Sequence, residues 1–219
     1  MTADPGQKSS YHHGHLKEAL LTAAEELLTE EGVQGLTLRA CARRAGVSHA
    51  APKHHFADVA ELLSEVAARS FDRLTEALQE TRQQATADPA ERIVGVARSY
   101  VSFARRYPDH FRLMFRWDAM SADNEALRLA AARTFAELTS SVTVQRGEAE
   151  VTTETLQERI SERDLQNDIL LAWSQIHGYA QLLLEGQFDG FGEPEGMDDF
   201  VTRTVSDTSR RLSRLLRNS

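Results

Sequence analysis

Between Gly32 and Ala57 the chain carries Arg39, Arg43, Arg44 and Lys53, three histidines (His49, His54 and His55), and no acidic residue. Side chains of these types can neutralise phosphate or hold a metal ion. A metal needs a closed ligand set, usually with cysteine or carboxylate partners. The single cysteine, Cys41, falls on the apolar side of a predicted helix, and no acid is interleaved. No metal site is therefore expected, either here or at His12, His13 and His15 upstream. Phosphate contact is the expected chemistry, and it stands out because the whole chain is acidic, with net charge −8 and pI about 5.5. A solvated basic face on an ordinary helical protein would carry the same charges.

The elements around these side chains separate the two readings. Thr37 is a good N-cap, and Leu38, Cys41, Ala42 and Ala45 give a first short helix its apolar face. Gly46 stops that helix, since glycine takes the left-handed C′ geometry without a Cβ penalty. Val47 points inward, and Ser48 is expected to cap a second helix, Ser48–His55. Helix, glycine turn and helix make a helix-turn-helix, whose second helix can enter the DNA major groove. Ala50 and Ala51 allow close approach to base edges, and their methyls can touch a thymine methyl. Ser48 and His49 can bond bases or phosphate, while Lys53, His55 and the Thr37 cap suit phosphate. Pro52 removes a backbone donor, so tight or irregular geometry is expected there. Phe56 closes a small core beneath the motif.

Leu36-Thr37-Leu38-Arg39, Ala45-Gly46-Val47-Ser48 and His54-His55-Phe56, in that order, resemble the DNA-binding domain of the tetracycline-repressor (TetR) family. The resemblance starts at Ser10-Tyr11-His12-His13-Gly14-His15-Leu16 and runs to about Leu63. It implies DNA contacts from Thr37, Arg39, Ser48, His49, Ala50, Ala51, Lys53, His54 and His55. Two positions depart from the family pattern, which usually has tyrosine at Lys53 and lysine at Val59. Lys53 keeps a phosphate donor without the ring, whereas Val59 removes one.

Composition agrees with an all-α protein. Twelve Gly and five Pro in 219 residues are few for a loop-rich β-fold, and alternating strand patterns are nearly absent. A disordered lead is expected over 1–10, the helix-turn-helix DNA-binding domain over 11–63, and a helical ligand-binding and dimerisation domain over 64–219. The first helix should run from about Gly14 to Glu31, and Asp58 should cap a long helix to about Gln84. Helices are also expected from Asp88-Pro89 to Tyr107, over Phe111–Phe115, from about Asp123 to Val144, from Arg163 to Glu185, and over 197–217. The stretch 145–155 reads as an exposed loop. With no secretory h-region and no run of about 18 apolar residues, no membrane association is expected and the location is expected to be cytoplasmic.

Two patterns in the second half, Tyr107-Pro108-Asp109-His110-Phe111-Arg112-Leu113-Met114-Phe115 and Trp173-x-x-x-His177-Gly178, resemble a TetR subgroup with a shared C-terminal domain. The resemblance implies a small-molecule inducer, with Phe103, Phe111, Met114, Phe115, Trp117, Trp173, His177 and Tyr179 as candidate lining residues. Each is equally readable as core, and His177 as a core histidine with a satisfied ring. Gly178 would let another helix approach closely. The last two helices are expected to pair two subunits, because the 169–184 segment is apolar on more than one face. A homodimer would present two reading segments to a palindromic double-stranded operator, with half-sites roughly 34–36 Å apart. No cofactor is implied. Neither a nucleophile–base ordering nor a phosphate-cradling glycine loop points to an enzyme. The competing reading is a helical ligand- or partner-binding protein with weakened DNA recognition, which Val59 favours.

Overall fold

The computed structural model describes residues 6–84, 88–188 and Arg203. Among the described residues there are eight α-helices, three short 3₁₀ turns and no strand. The helices are α1 (Gly6–Glu31), α2 (Leu38–Arg44), α3 (Val59–Gln84), α4 (Pro89–Arg106), α5 (Pro108–Met114), α6 (Glu125–Gln145), α7 (Leu156–Arg159) and α8 (Arg163–Leu184). The helix expected over 197–217 lies outside the described residues.

The chain packs as two compact units. One takes the chain to Ser70 together with Asp109–Arg128, and the other takes Phe71–Pro108 and the chain from Leu129 onward. The packing boundary therefore falls inside α3, beyond the expected 63/64, and a segment read as part of the second domain groups with the first.

In the first unit, α1 buries Leu20, Ala23, Ala24, Leu27 and Leu28, the i, i+3, i+4, i+7, i+8 stripe of an amphipathic helix. It begins at Gly6. No proline interrupts 6–31, and Gly14 costs a helix interior only about 1 kcal/mol. Gly32 ends α1 at φ 69°. α1 packs on α2, and α2 on the 3₁₀ turn Ala51–His54. α3 starts where expected. Asp58 Oδ1 accepts the Glu61 amide at 2.9 Å, and Glu61 reaches back to the Ala57 amide at 2.6 Å, close to a capping box. Lys17–Glu65 (3.1 Å) and Arg69–Glu18 (2.5 Å) tie α3 to α1.

In the second unit α4 packs on α8. Ile93 and Val94 meet Val142, Leu165 and Ile169, with Phe135, Ile160 and Ala172 at the edge. Thr75 and Thr134 hydroxyls join α3 to α6 at 2.7 Å. The stretch after α6 is the largely exposed loop its polarity suggested, but it is tied down at several points. Val151 is buried, and its amide donates to Ser140 Oγ at 2.9 Å. Arg146 pairs with Glu148 and Asp168, Arg159 with Glu148, and Glu150 with both Arg82 and Arg92. Charges that looked solvated are used as tethers. α8 buries Leu165, Ile169 and Ala180, while Leu170, Leu171 and Leu182 are exposed. Among the described residues nothing lies within 4 Å of a Cβ built on Gly178.

Candidate nucleic-acid interface

The reading segment is built by two local devices. The Thr37 hydroxyl accepts the Ala40 amide at 3.0 Å and starts α2. At the other end Gly46 has φ 69°. The Gly46 amide bonds Arg43 O at 3.2 Å, and the Val47 amide bonds Ala42 O at 3.0 Å. This paired closure is a Schellman motif, which satisfies the last carbonyls and turns the chain sharply.

Beyond that turn the chain winds more tightly than a second α-helix would. His49 and Ala50 form a turn, and Ala51–His54 is a 3₁₀ helix. Ser48 does not cap it. The N-cap position is Ala50, with no side-chain cap, and Pro52 stands in the first turn. Proline lacks the amide that an α-helical i→i−4 bond would need, and the i→i−3 bonds Ala51 N–Ser48 O and His55 N–Pro52 O (2.9 Å) take over. Pro52 and Phe56 are buried beneath the segment. Lys17 Nζ stands 5.9 Å over the Phe56 ring.

Ser48, His49, Ala50, Lys53 and His54 are exposed, as are Thr37 and Arg39; Ala51 and His55 are half-buried, with His55 edge-on to Phe56. The structure thus gathers the expected contact residues on α2, the turn and the 3₁₀ helix. One member of the basic window is not available. Arg44 is bound by Glu26 at 3.2 Å and Glu30 at 2.6 Å, both on α1. Those acids lie within the last two turns of α1, upstream of Gly32 and so outside the basic window. Val59 is exposed (39%) at the start of α3. Burial pushes the Cys41 thiol up to about 11, so it packs as a small apolar residue. No group of three or more His, Cys, Asp or Glu is placed to hold a metal among the described residues.

The candidate ligand residues divide between the units. Phe111 and Met114 are fully buried in the first unit, Phe115 stacks edge-on with Phe111, and Trp117 is 51% exposed. Phe103, Trp173, His177 and Tyr179 belong to the second. Trp173 and His177 rings are 5.7 Å apart on α8, with Phe135 of α6 5.8 Å from Trp173. Tyr179 stacks on Phe188, and Phe103 lies against Tyr107.

Tyr100, buried on α4, is the centre of this second cluster. Its hydroxyl lies 2.9 Å from His177 Nδ1. Gln181 Nε2 only donates, so at 3.4 Å His177 Nε2 accepts from it and the ring proton sits on Nδ1, donated to the Tyr100 oxygen. Burial holds the His177 pKa below the usual imidazole range, and burial likewise raises the Tyr100 phenol. The rule that a buried phenol needs a partner could have found Tyr100 from the sequence; nothing marked Phe135.

A small three-helix head with an exposed, glycine-hinged reading segment defines a helix-turn-helix DNA-binding protein. Residues 20–66 match the family described as bacterial regulatory proteins, tetR family, and residues 93–208 match the tetracyclin repressor-like C-terminal domain. A solved structure of a protein with unknown function from Rhodococcus sp. RHA1 is 34% identical, covers 92% of this chain and 96% of its own, and has a TM-score of 0.72. A TetR family transcription regulator from Marinobacter aquaeolei VT8 (15% identity, 91% and 97% covered, TM-score 0.59) shares the fold. So does a TetR variant from Acinetobacter baumannii AYE in complex with minocycline (22%, 91% and 97%, 0.57). No curated protein matches the chain significantly. The chain belongs to the TetR family and is a DNA-binding transcription regulator. Among the described residues no helix is long and apolar enough to cross a membrane.

Proposed function

We propose that the protein is a cytoplasmic homodimeric repressor that binds a palindromic operator and is released by a small apolar or amphipathic molecule. One observation carries the DNA reading: an acid-free, exposed segment, Ser48–His54, is fixed on the head by the Gly46 turn and a buried Pro52–Phe56 floor. Ser48, His49, Ala50 and Ala51 would face base edges, and Thr37, Arg39, Lys53, His54 and His55 would face phosphate. The α8 leucines Leu170, Leu171 and Leu182 support a subunit interface. For the inducer, the Trp173–His177–Tyr100 cluster offers aromatic faces and one neutral donor–acceptor pair; Phe103 and Tyr179 are further candidates in that unit. Phe111 and Met114 are better read as core.

A gel-shift titration against the promoter upstream of the protein's own gene tests the reading. Ala50→Glu should abolish binding while the circular-dichroism spectrum and melting are unchanged, because it brings a carboxylate to the groove. Normal binding by that variant would show that another element docks. A hundredfold release by inducer needs about 2.7 kcal/mol of differential affinity between conformations. The second reading, weakened DNA recognition, is favoured by the exposed Val59 where the family carries lysine; steep salt dependence of the shift would exclude it.

A further inference from the structure

We propose that His110 is a positioning residue of the DNA-binding unit: its Nδ1–H clamps the 109–128 segment onto the first half of α3, the helix that leaves the reading segment. This rests on the DNA-binding function proposed for the head.

Asp109–Arg128 groups with the head although some 40 residues separate it from the end of that unit's first stretch. Two serines of α3 receive it. Ser70 is 0% exposed and His110 4%. Ser70 Oγ donates to Val66 O at 2.9 Å and lies 2.9 Å from His110 Nδ1. A hydroxyl has one proton, so with that proton given to its own helix Ser70 accepts from the ring, and Nδ1 carries hydrogen. Ser64, also 0% exposed, repeats the device. Its hydroxyl donates to Ala60 O at 2.8 Å and accepts the Ser121 amide at 2.9 Å.

The clamp is polar but buried, and it needs a donor at one defined ring nitrogen. Around it, α5 buries Phe111, Leu113 and Met114. Across α3, Glu65 and Arg69 hold α1. The first half of α3 is therefore fixed from two sides, and it begins three residues after Phe56, the floor of the reading segment. Loosening one side lets that helix start, and the reading segment with it, wander.

The test is a donor series in the full-length protein. Asparagine can place an amide N–H near the Nδ1 position; glutamine carries its amide one carbon further and cannot. In hydrogen–deuterium exchange, His110→Gln and Ser70→Ala should lose protection at least tenfold over 109–121 and 59–70. His110→Asn should stay within about twofold of wild type. Ser64→Ala should loosen 119–123 in the same way. On the promoter fragment, His110→Gln and Ser70→Ala should bind about tenfold more weakly at equal folded fraction, and His110→Asn should be restored.

A merely structural ring would instead make Asn and Gln equally poor, which overturns the proposal. So would unchanged exchange in Ser70→Ala. If His110→Gln does not fold, Ser70→Ala, which keeps the ring, carries the same comparison. The exchange readout needs no DNA. If wild-type protein shifts no promoter fragment, the DNA reading fails while the exchange data still decide the role of His110.

Discussion

Lys53 and Arg44 look alike in the sequence and differ in the folded chain. Lys53 stands exposed on the reading segment, whereas Arg44 is held by Glu26 and Glu30. A cation already neutralised by carboxylates releases few counterions on meeting phosphate. Lys53→Ala should lower the salt slope of DNA binding by about one unit. Arg44→Ala should leave that slope in place and cost little stability, as surface pairs do. Equal slopes for the two variants would mean that Lys53 does not touch the backbone. His177 shows the same lesson in the second unit. Its spacing from Trp173 was legible, but its partner is Tyr100, 77 residues away in sequence.

At the scale of elements, local rules carried far. The Thr37 cap, the Gly46 stop, the Asp58 start of α3 and the Asp88-Pro89 start of α4 all stand where their residue types put them. Thr37→Ala should cost about 1 kcal/mol in chemical denaturation, since it leaves the Ala40 amide without its acceptor. Gly46→Ala forces a Cβ into a left-handed conformation and should cost about 1–2 kcal/mol. An unchanged midpoint in Gly46→Ala would contradict the positive φ. The reading segment itself escaped the local rules in one respect. Its second element is a 3₁₀ turn capped by nothing, because Pro52 removes the bond an α-helix would need and its ring is buried as part of the floor. The ion pairs of the polar loop after α6 escaped them too, since composition says nothing about partners supplied by α3 and α4.

At the scale of the whole molecule, Glu150 joins Arg92 at 2.7 Å and Arg82 at 2.9 Å. The Arg92 hydrogen bond holds its carboxyl below the usual value of 4.5. A folded pKa below the unfolded one contributes stability above the unfolded pKa and loses it as pH falls through the folded value. Glu150→Gln should therefore lower the melting temperature at pH 7, and the gap to wild type should close as pH falls through and below the usual carboxyl range. A gap that persists at the acid end would show that the amide perturbs packing and not charge.

The sequence by itself determined the helical class, most helix ends, the glycine-hinged motif and the family to which the chain belongs. Each depends on hydrogen bonds and steric preferences that act within a few residues, or on motifs carried whole in the chain. Tertiary structure alone decided that Arg44 is spent on α1, that Asp109–Arg128 joins the head through Ser64 and Ser70, and that Tyr100 pairs with His177. These are pairings between distant segments. Such a pairing is selected by which surfaces the folded chain brings together, and no local pattern encodes that meeting.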